Sequence, residues 1–114
     1  QPEAMIIPDT YHMFLAGTGP NSLGRLRGDF IAIFQFADAG KEVEPILHKG
    51  VDSQRVLPGD GKIDLKAYLT NLKKTGFVGC VSLELYNPEY RKREPVAFLE
   101  EALRKTVKVV SSVG

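Results

Sequence analysis

One cysteine, two histidines and a net charge of +1 over 114 residues remove several protein classes at once. A lone Cys80 cannot build an internal disulfide framework, and it fits a reducing, cytoplasmic compartment. Fifteen basic against fourteen acidic residues leave no electrostatic footprint for nucleic acid or an anionic membrane. There is no apolar run of about 20 residues and no secretory signal, so a soluble protein is expected. No repeat, low-complexity tract or linker divides the chain, which reads as one domain over residues 1–114. No strand leads into a helix-opening Gly-x-Gly-x-x-Gly, so Gly59 and Gly61 read as turn formers rather than phosphate ligands. What remains, 43% hydrophobic and 25% charged, is ordinary globular composition.

Taken in order, Ala4–Asp9 predicts a short strand that must end near Pro8, which cannot donate to a ladder. Asn21 or Ser22 can cap a short helix through Leu23 and Leu26, stopped by Gly28. Phe30–Ala37 is almost continuously apolar, as strands covered on both faces are. From Asp38 to Lys62 the periodicity fades among Gly40, Pro45, Gly50, Pro58, Gly59 and Gly61; a connection this long usually serves function. His48 there has no partner spacing and reads as a solvated loop histidine, and Asp38 as an organiser of the loop. Asp64 caps a helix striped by Leu65, Leu69 and Leu72 and closed at Gly76. Val81–Leu85 forms the third strand, on which Cys80, Ser82 and Glu84 alternate inward, making Cys80 a packed thiol. Pro95 opens the last helix, with Leu99, Ala102, Leu103, Thr106, Val107 and Val110 as its apolar stripe. Glu100–Arg104 and Glu101–Lys105 support it as i,i+4 pairs. The order is strand–helix repeated three times, an α/β arrangement with a parallel sheet.

Each strand ends in an inward oxygen donor: Asp9, Gln35 and Glu84. An acid such as Glu84 inside an apolar strand costs several kcal/mol (order of magnitude) unless something compensates its charge. Three hard oxygens at neighbouring strand ends suit a divalent cation, Mg²⁺ or Mn²⁺, better than zinc. Each has a plainer use: Asp9 can cap a turn, Gln35 can satisfy buried backbone, His12 can be a packed loop histidine and Arg55 a solvated cation.

Four blocks carry a resemblance: Asp9-Thr10-Tyr11-His12, Gln35-Phe36-Ala37-Asp38-Ala39, Leu57–Asp64 and Ser82–Asn87. Together they resemble the C-terminal part of the xylose-isomerase-like TIM-barrel family, which includes sugar and sugar-phosphate isomerases and epimerases and the inosose and dehydroshikimate dehydratases. The resemblance implies the last three βα units of a (β/α)8 TIM barrel, incomplete as the chain stands. It implies Asp9, Gln35 and Glu84 as metal ligands, His12 as a substrate contact and Arg55 as a substrate-binding cation. A further glutamate ligand of the family, on an earlier strand, has no counterpart here.

The implied chemistry is proton abstraction beside a carbonyl of a small polyhydroxylated substrate, with Mn²⁺ or Mg²⁺ (cobalt or zinc as alternatives) stabilising an enediolate, Glu84 as ligand and base and His12 as the second catalytic group. Returning the proton elsewhere isomerises or epimerises; expelling a β-hydroxyl dehydrates. Gln35 leans to the dehydratase side, Asn87-Pro88-Glu89-Tyr90 to the isomerase side. The rival of another class is a non-catalytic assembly fragment; an AP-endonuclease role would need a histidine-rich zinc cluster that two histidines cannot supply. Three units leave open sheet edges, so the isolated chain is expected to be inactive, and to self-associate or to lack an N-terminal part of the barrel. The start on Gln1 points the same way.

Overall fold

The computed structural model describes residues 3–45 and 52–114; the expectation for His48 falls outside them. Three chain segments lie side by side and parallel. The middle one is β1 (Phe34–Phe36), paired with β4 (Val81–Leu83) in the register Phe34↔Val81, Gln35↔Ser82 and Phe36↔Leu83. On its other side the N-terminal segment makes two parallel bridges, Ile6↔Ile31 and Asp9↔Gln35. Pro8, though it has no N–H to give, accepts from Gln35 N at 2.9 Å, which carries the pairing across the proline.

Between these strands run α1 (Thr10–Leu15), α2 (Pro20–Leu23) and, before β4, α3 (Leu65–Lys74); α4 (Pro95–Ser111) follows β4. Asp64 Oδ1 caps α3 by accepting from Ala67 N at 3.0 Å, and Gly76, at φ +78°, lets the chain turn away after Lys74. Glu94 caps α4 with both carboxylate oxygens, and Pro95 occupies its first turn. Phe34 and Phe36 are both at 0% exposure, in one core with Leu23, Leu65, Tyr68, Leu69 and Leu72. Each such side chain contributes about 1.5–3 kcal/mol, so the helical face of the sheet supplies most of the apolar stabilisation.

Several expectations change. The first strand is only two bridges, with Met5, Ile6 and Ile7 exposed along its edge. The Phe30–Ala37 run is not one strand: Gly28–Phe30 is a 3-10 turn, closed by Ile31 N donating to Gly28 O, and the ladder proper begins at Phe34. Its second face is only partly covered, Ile33 being half-exposed. Helix α2 starts at Pro20 after Gly19 and ends at Gly24, short of Leu26, because a glycine in mid-helix costs more backbone entropy than it returns. Cys80 is exposed, since regular pairing starts one residue later. On α4 the packed residues are Ala102 and, partly, Val109 and Val110, while Leu99 and Leu103 stand 63% and 65% exposed.

The stretch read as irregular contains a small antiparallel pair, β2 (Asp38–Ala39) with β3 (Arg55–Val56), in which Ala39 faces Arg55. Asp38 anchors it. The buried carboxylate accepts from Ala39 N (2.9 Å), Ile63 N (2.9 Å), Gly59 N (3.0 Å) and Gly61 N (3.1 Å). A side chain on Gly61 would drive into the Ala39 carbonyl and the Asp38 carboxylate. Asp38 therefore organises the loop, as its position in the sequence suggested.

Candidate active site at the strand ends

Asp9 ends the first strand segment and begins α1 in one step. Its Oδ1 accepts from Tyr11 N at 2.8 Å and His12 N at 3.2 Å, capping the helix. Beside it Thr10 locks the turn to the end of β1: its hydroxyl donates to Ala37 O at 2.7 Å and accepts from Ala37 N at 3.0 Å. His12 is thus a first-turn helical residue rather than a loop one. Gln35, opposite Ser82 in the ladder, reaches two residues on, and its Nε2 donates to Glu84 Oε2 at 3.2 Å. Gln35 is therefore the middle member of the trio, bridged in register to Asp9 and in hydrogen-bond contact with Glu84.

Arg55 reaches the same corner from β3. It is 3% exposed, with Nη1 donating to both Asp9 oxygens at 3.2 and 3.1 Å. Its Nη2 lies 3.1 Å from His12 Nε2 and 3.4 Å from Asp52 Oδ1, and the guanidinium covers the Tyr11 ring at 4.7 Å. A buried guanidinium cannot shed its charge, so its carboxylate partner is what makes burial tolerable. Burial also pushes the Tyr11 phenol above its ordinary range, against the downward pull of Arg55.

The loop after β4 closes over β3. Asn87 Nδ2 donates to Arg55 O at 2.8 Å, and the Tyr90 hydroxyl accepts from Leu57 N at 3.0 Å. Asn87 and Tyr90 therefore hold the strand that delivers Arg55. The sequence carried Asn87 only as part of a block, and nothing local tied it to position 55. Asp52, which touches Arg55 and opens the 3-10 turn Asp52–Gln54, carried no signal beyond being an acid three residues before the arginine.

Two carboxylates and an amide form a hard-oxygen donor set whose chemistry fits a divalent cation. It carries less charge than three acids would, and among the described residues no three His, Cys, Asp or Glu side chains gather to hold a metal. No helix among the described residues is long and apolar enough to cross a membrane.

Strand ends of a parallel α/β sheet that gather polar side chains are where barrel enzymes keep their sites, and the comparisons agree with that geometry. The model of the xylose isomerase-like TIM barrel family matches residues 1–105, and the chain belongs to that family. It is 39% identical over 106 residues to an inosose isomerase of Bacillus subtilis, covering 93% of this chain and 37% of that protein. It is 32% identical over 94 residues to a 3-dehydroshikimate dehydratase of Pseudomonas putida, 79% of this chain and 14% of that one. A 1.8 Å crystal structure of the IolI protein with a bound zinc atom superposes with a TM-score of 0.88 at 36% identity, over 96% of this chain and 38% of that one. The chain spans little more than a third of the inosose isomerases it matches, and its fold is that of a partial barrel.

Proposed function

We propose that this chain carries the C-terminal wall of the active site of a divalent-metal-dependent sugar or polyol isomerase or epimerase. The observation that supports it is the Gln35–Glu84 contact beside Asp9, at one end of three parallel segments, in a chain 39% identical to an inosose isomerase. Asp9, Gln35 and Glu84 would hold the cation, Mn²⁺ or Mg²⁺ by the hardness of the donors; the zinc of the IolI structure makes zinc the first alternative. When bound, the cation neutralises charge developing on the substrate's carbonyl oxygen. Glu84 takes the proton from the hydroxyl-bearing carbon beside that carbonyl and returns it to the carbonyl carbon, while the hydroxyl proton passes to the former carbonyl oxygen, so no atom is gained or lost. His12 contacts a substrate oxygen, and Arg55 stands behind both His12 and Asp9.

The second reading, supported by the 3-dehydroshikimate dehydratase relative, keeps the first proton transfer. The proton then goes to a departing β-hydroxyl, which leaves as water. In either case the substrate is a small polyhydroxylated carbonyl compound, and the single cysteine fits a cytoplasmic protein. The exposed Leu99 and Leu103 on α4 and the exposed edge Met5–Ile7 support a chain that is inactive alone and associates with further barrel-forming units or with other copies.

Manganese titration followed by paramagnetic resonance tests the site in the 114-residue chain. Binding that Glu84→Gln weakens at least tenfold supports the reading; no binding, or equal binding by the variant, refutes it. Sedimentation with a turnover assay on inososes tests the rest, and an active monomer would contradict the assembly statement.

A further inference from the structure

We propose that Arg55 is a positioning residue that fixes the neutral His12 ring in its Nδ1–H tautomer, leaving Nδ1 as the nitrogen that donates to a ligand. The tautomer stands on geometry alone; its use in turnover rests on the reading of His12 as a substrate contact. A guanidinium has five N–H donors, no acceptor and a permanent charge. Nη2 lies 3.1 Å from His12 Nε2. At that separation Nε2 must accept, and the single proton of the neutral ring is left on Nδ1. The only competing partner for Nε2 among the described ion pairs is Asp52 Oδ1 at 3.9 Å, beyond hydrogen-bond range, and Asp52 itself already receives Nη2 at 3.4 Å.

Arg55 has no room to swing away. Nη1 is held across both Asp9 oxygens, the plane lies on Tyr11, and the side chain is buried. His12 is held as firmly at its base, since its backbone N–H donates to the same Asp9 oxygen that caps the helix. One fork thus ties the proposed metal-ligand carboxylate and the proposed substrate imidazole into one rigid unit. The outcome for chemistry is specific. His12 acts as a hydrogen-bond donor to a carbonyl or hydroxyl oxygen and does not take a proton through Nε2, which leaves base duty to Glu84.

The test is a long-range proton–nitrogen correlation on the ¹⁵N-histidine-labelled chain, at a pH of about 8.5 where an ordinary imidazole is neutral. The only other histidine, His48, is identified by His48→Gln. The expected spectrum shows His12 with a protonated Nδ1 and a bare Nε2. Arg55→Met should return His12 to a population at least severalfold richer in Nε2–H while leaving His48 unchanged. A wild-type spectrum with the proton on Nε2 overturns the proposal, as does a folded Arg55→Met chain with an unchanged His12 pattern. Should Arg55→Met not fold, Arg55→Lys carries the same comparison, because an ammonium on Asp9 cannot also present a rigid fork to His12. His12→Gln in a turnover assay of the assembled, active barrel probes the functional reading separately: full activity there would sink the substrate contact without touching the tautomer.

Discussion

Two buried aspartates, Asp9 and Asp38, solve the same problem in different ways. Asp9 ends the first strand segment, Asp38 opens β2, and both are almost fully covered. Asp38 is satisfied by four backbone N–H groups, two on each oxygen, from Ala39, Gly59, Gly61 and Ile63. Its partners are main chain, so the carboxylate is sealed into a turn and has nothing to offer a ligand. Asp9 takes two backbone N–H groups on Oδ1 and gives the rest of its charge to the side chain of Arg55. That leaves Oδ2 with one hydrogen bond among the described residues. The lesson is that main-chain donors make a carboxylate structural, whereas a side-chain cation shared with His12 couples the acid to its neighbours.

The comparison can be broken most severely at Arg55. Arg55→Met leaves Asp9 buried without its counter-charge, and removing one partner of a buried pair costs about 3–5 kcal/mol. Urea denaturation should show a loss of that size, with Asp9→Asn in the same background recovering part of it. Asp38→Asn comes next: an amide nitrogen facing N–H donors leaves one side of the cage unmatched, at about 2–3 kcal/mol. This variant should lower the denaturation midpoint yet leave manganese binding by the folded fraction unchanged. If binding fell as much as stability, the division between a structural and a functional aspartate would be wrong. Asp52→Asn should be the mildest of the three, below about 1 kcal/mol, because Asp52 is largely solvent-exposed. Its denaturation curve should nearly overlay that of the unaltered chain.

The last prediction concerns pH and the outer surface. Hydrogen bonds from Arg93 and then Lys105 hold the Glu101 carboxyl down to about 2 from an ordinary 4.5. A depressed carboxyl stabilises the fold above its unfolded value and loses that contribution as pH falls from about 4.5 to about 2. Glu101→Gln should therefore flatten the stability-against-pH curve in that window and leave it parallel above pH 5 (about half a unit past the unfolded value). An unchanged slope would contradict the assigned cause. Lys105, raised chiefly by its bond to Asp60, behaves oppositely, and its contribution fades only as pH climbs past its raised value.

Local chemistry was legible in the chain wherever a rule spans about one helical turn. The cap at Asp64, Pro95 in the first turn of α4, the break at Gly76 and the buried Leu65, Leu69 and Leu72 follow from such spacing. The positions of Asp9 and Glu84 at the ends of their segments were legible too, whereas Gln35, expected at a strand end, is the middle residue of β1. The two-residue strands β2 and β3 were not legible, because a period of two needs more residues than either contains. The packed face of α4 was not legible either, since apolar residues encircle much of the helix and only neighbouring elements choose which of them are covered.

By itself, then, the sequence determined the cap and stop of α3, the apolar face of that helix, the start of α4 at Pro95, and the order of the three parallel strand segments. Those follow from propensity, capping and periodicity, all acting between near neighbours. Only tertiary structure decided that Arg55 serves Asp9 and His12 across 46 and 43 residues of chain, that Gln35 meets Glu84 across 49, and that Asn87 holds the arginine's strand from 32 residues away. No spacing rule reaches that far. Such partners are selected when the sheet register and the closing of a long loop bring charged groups out of water together, where each must find its complement or remain exposed.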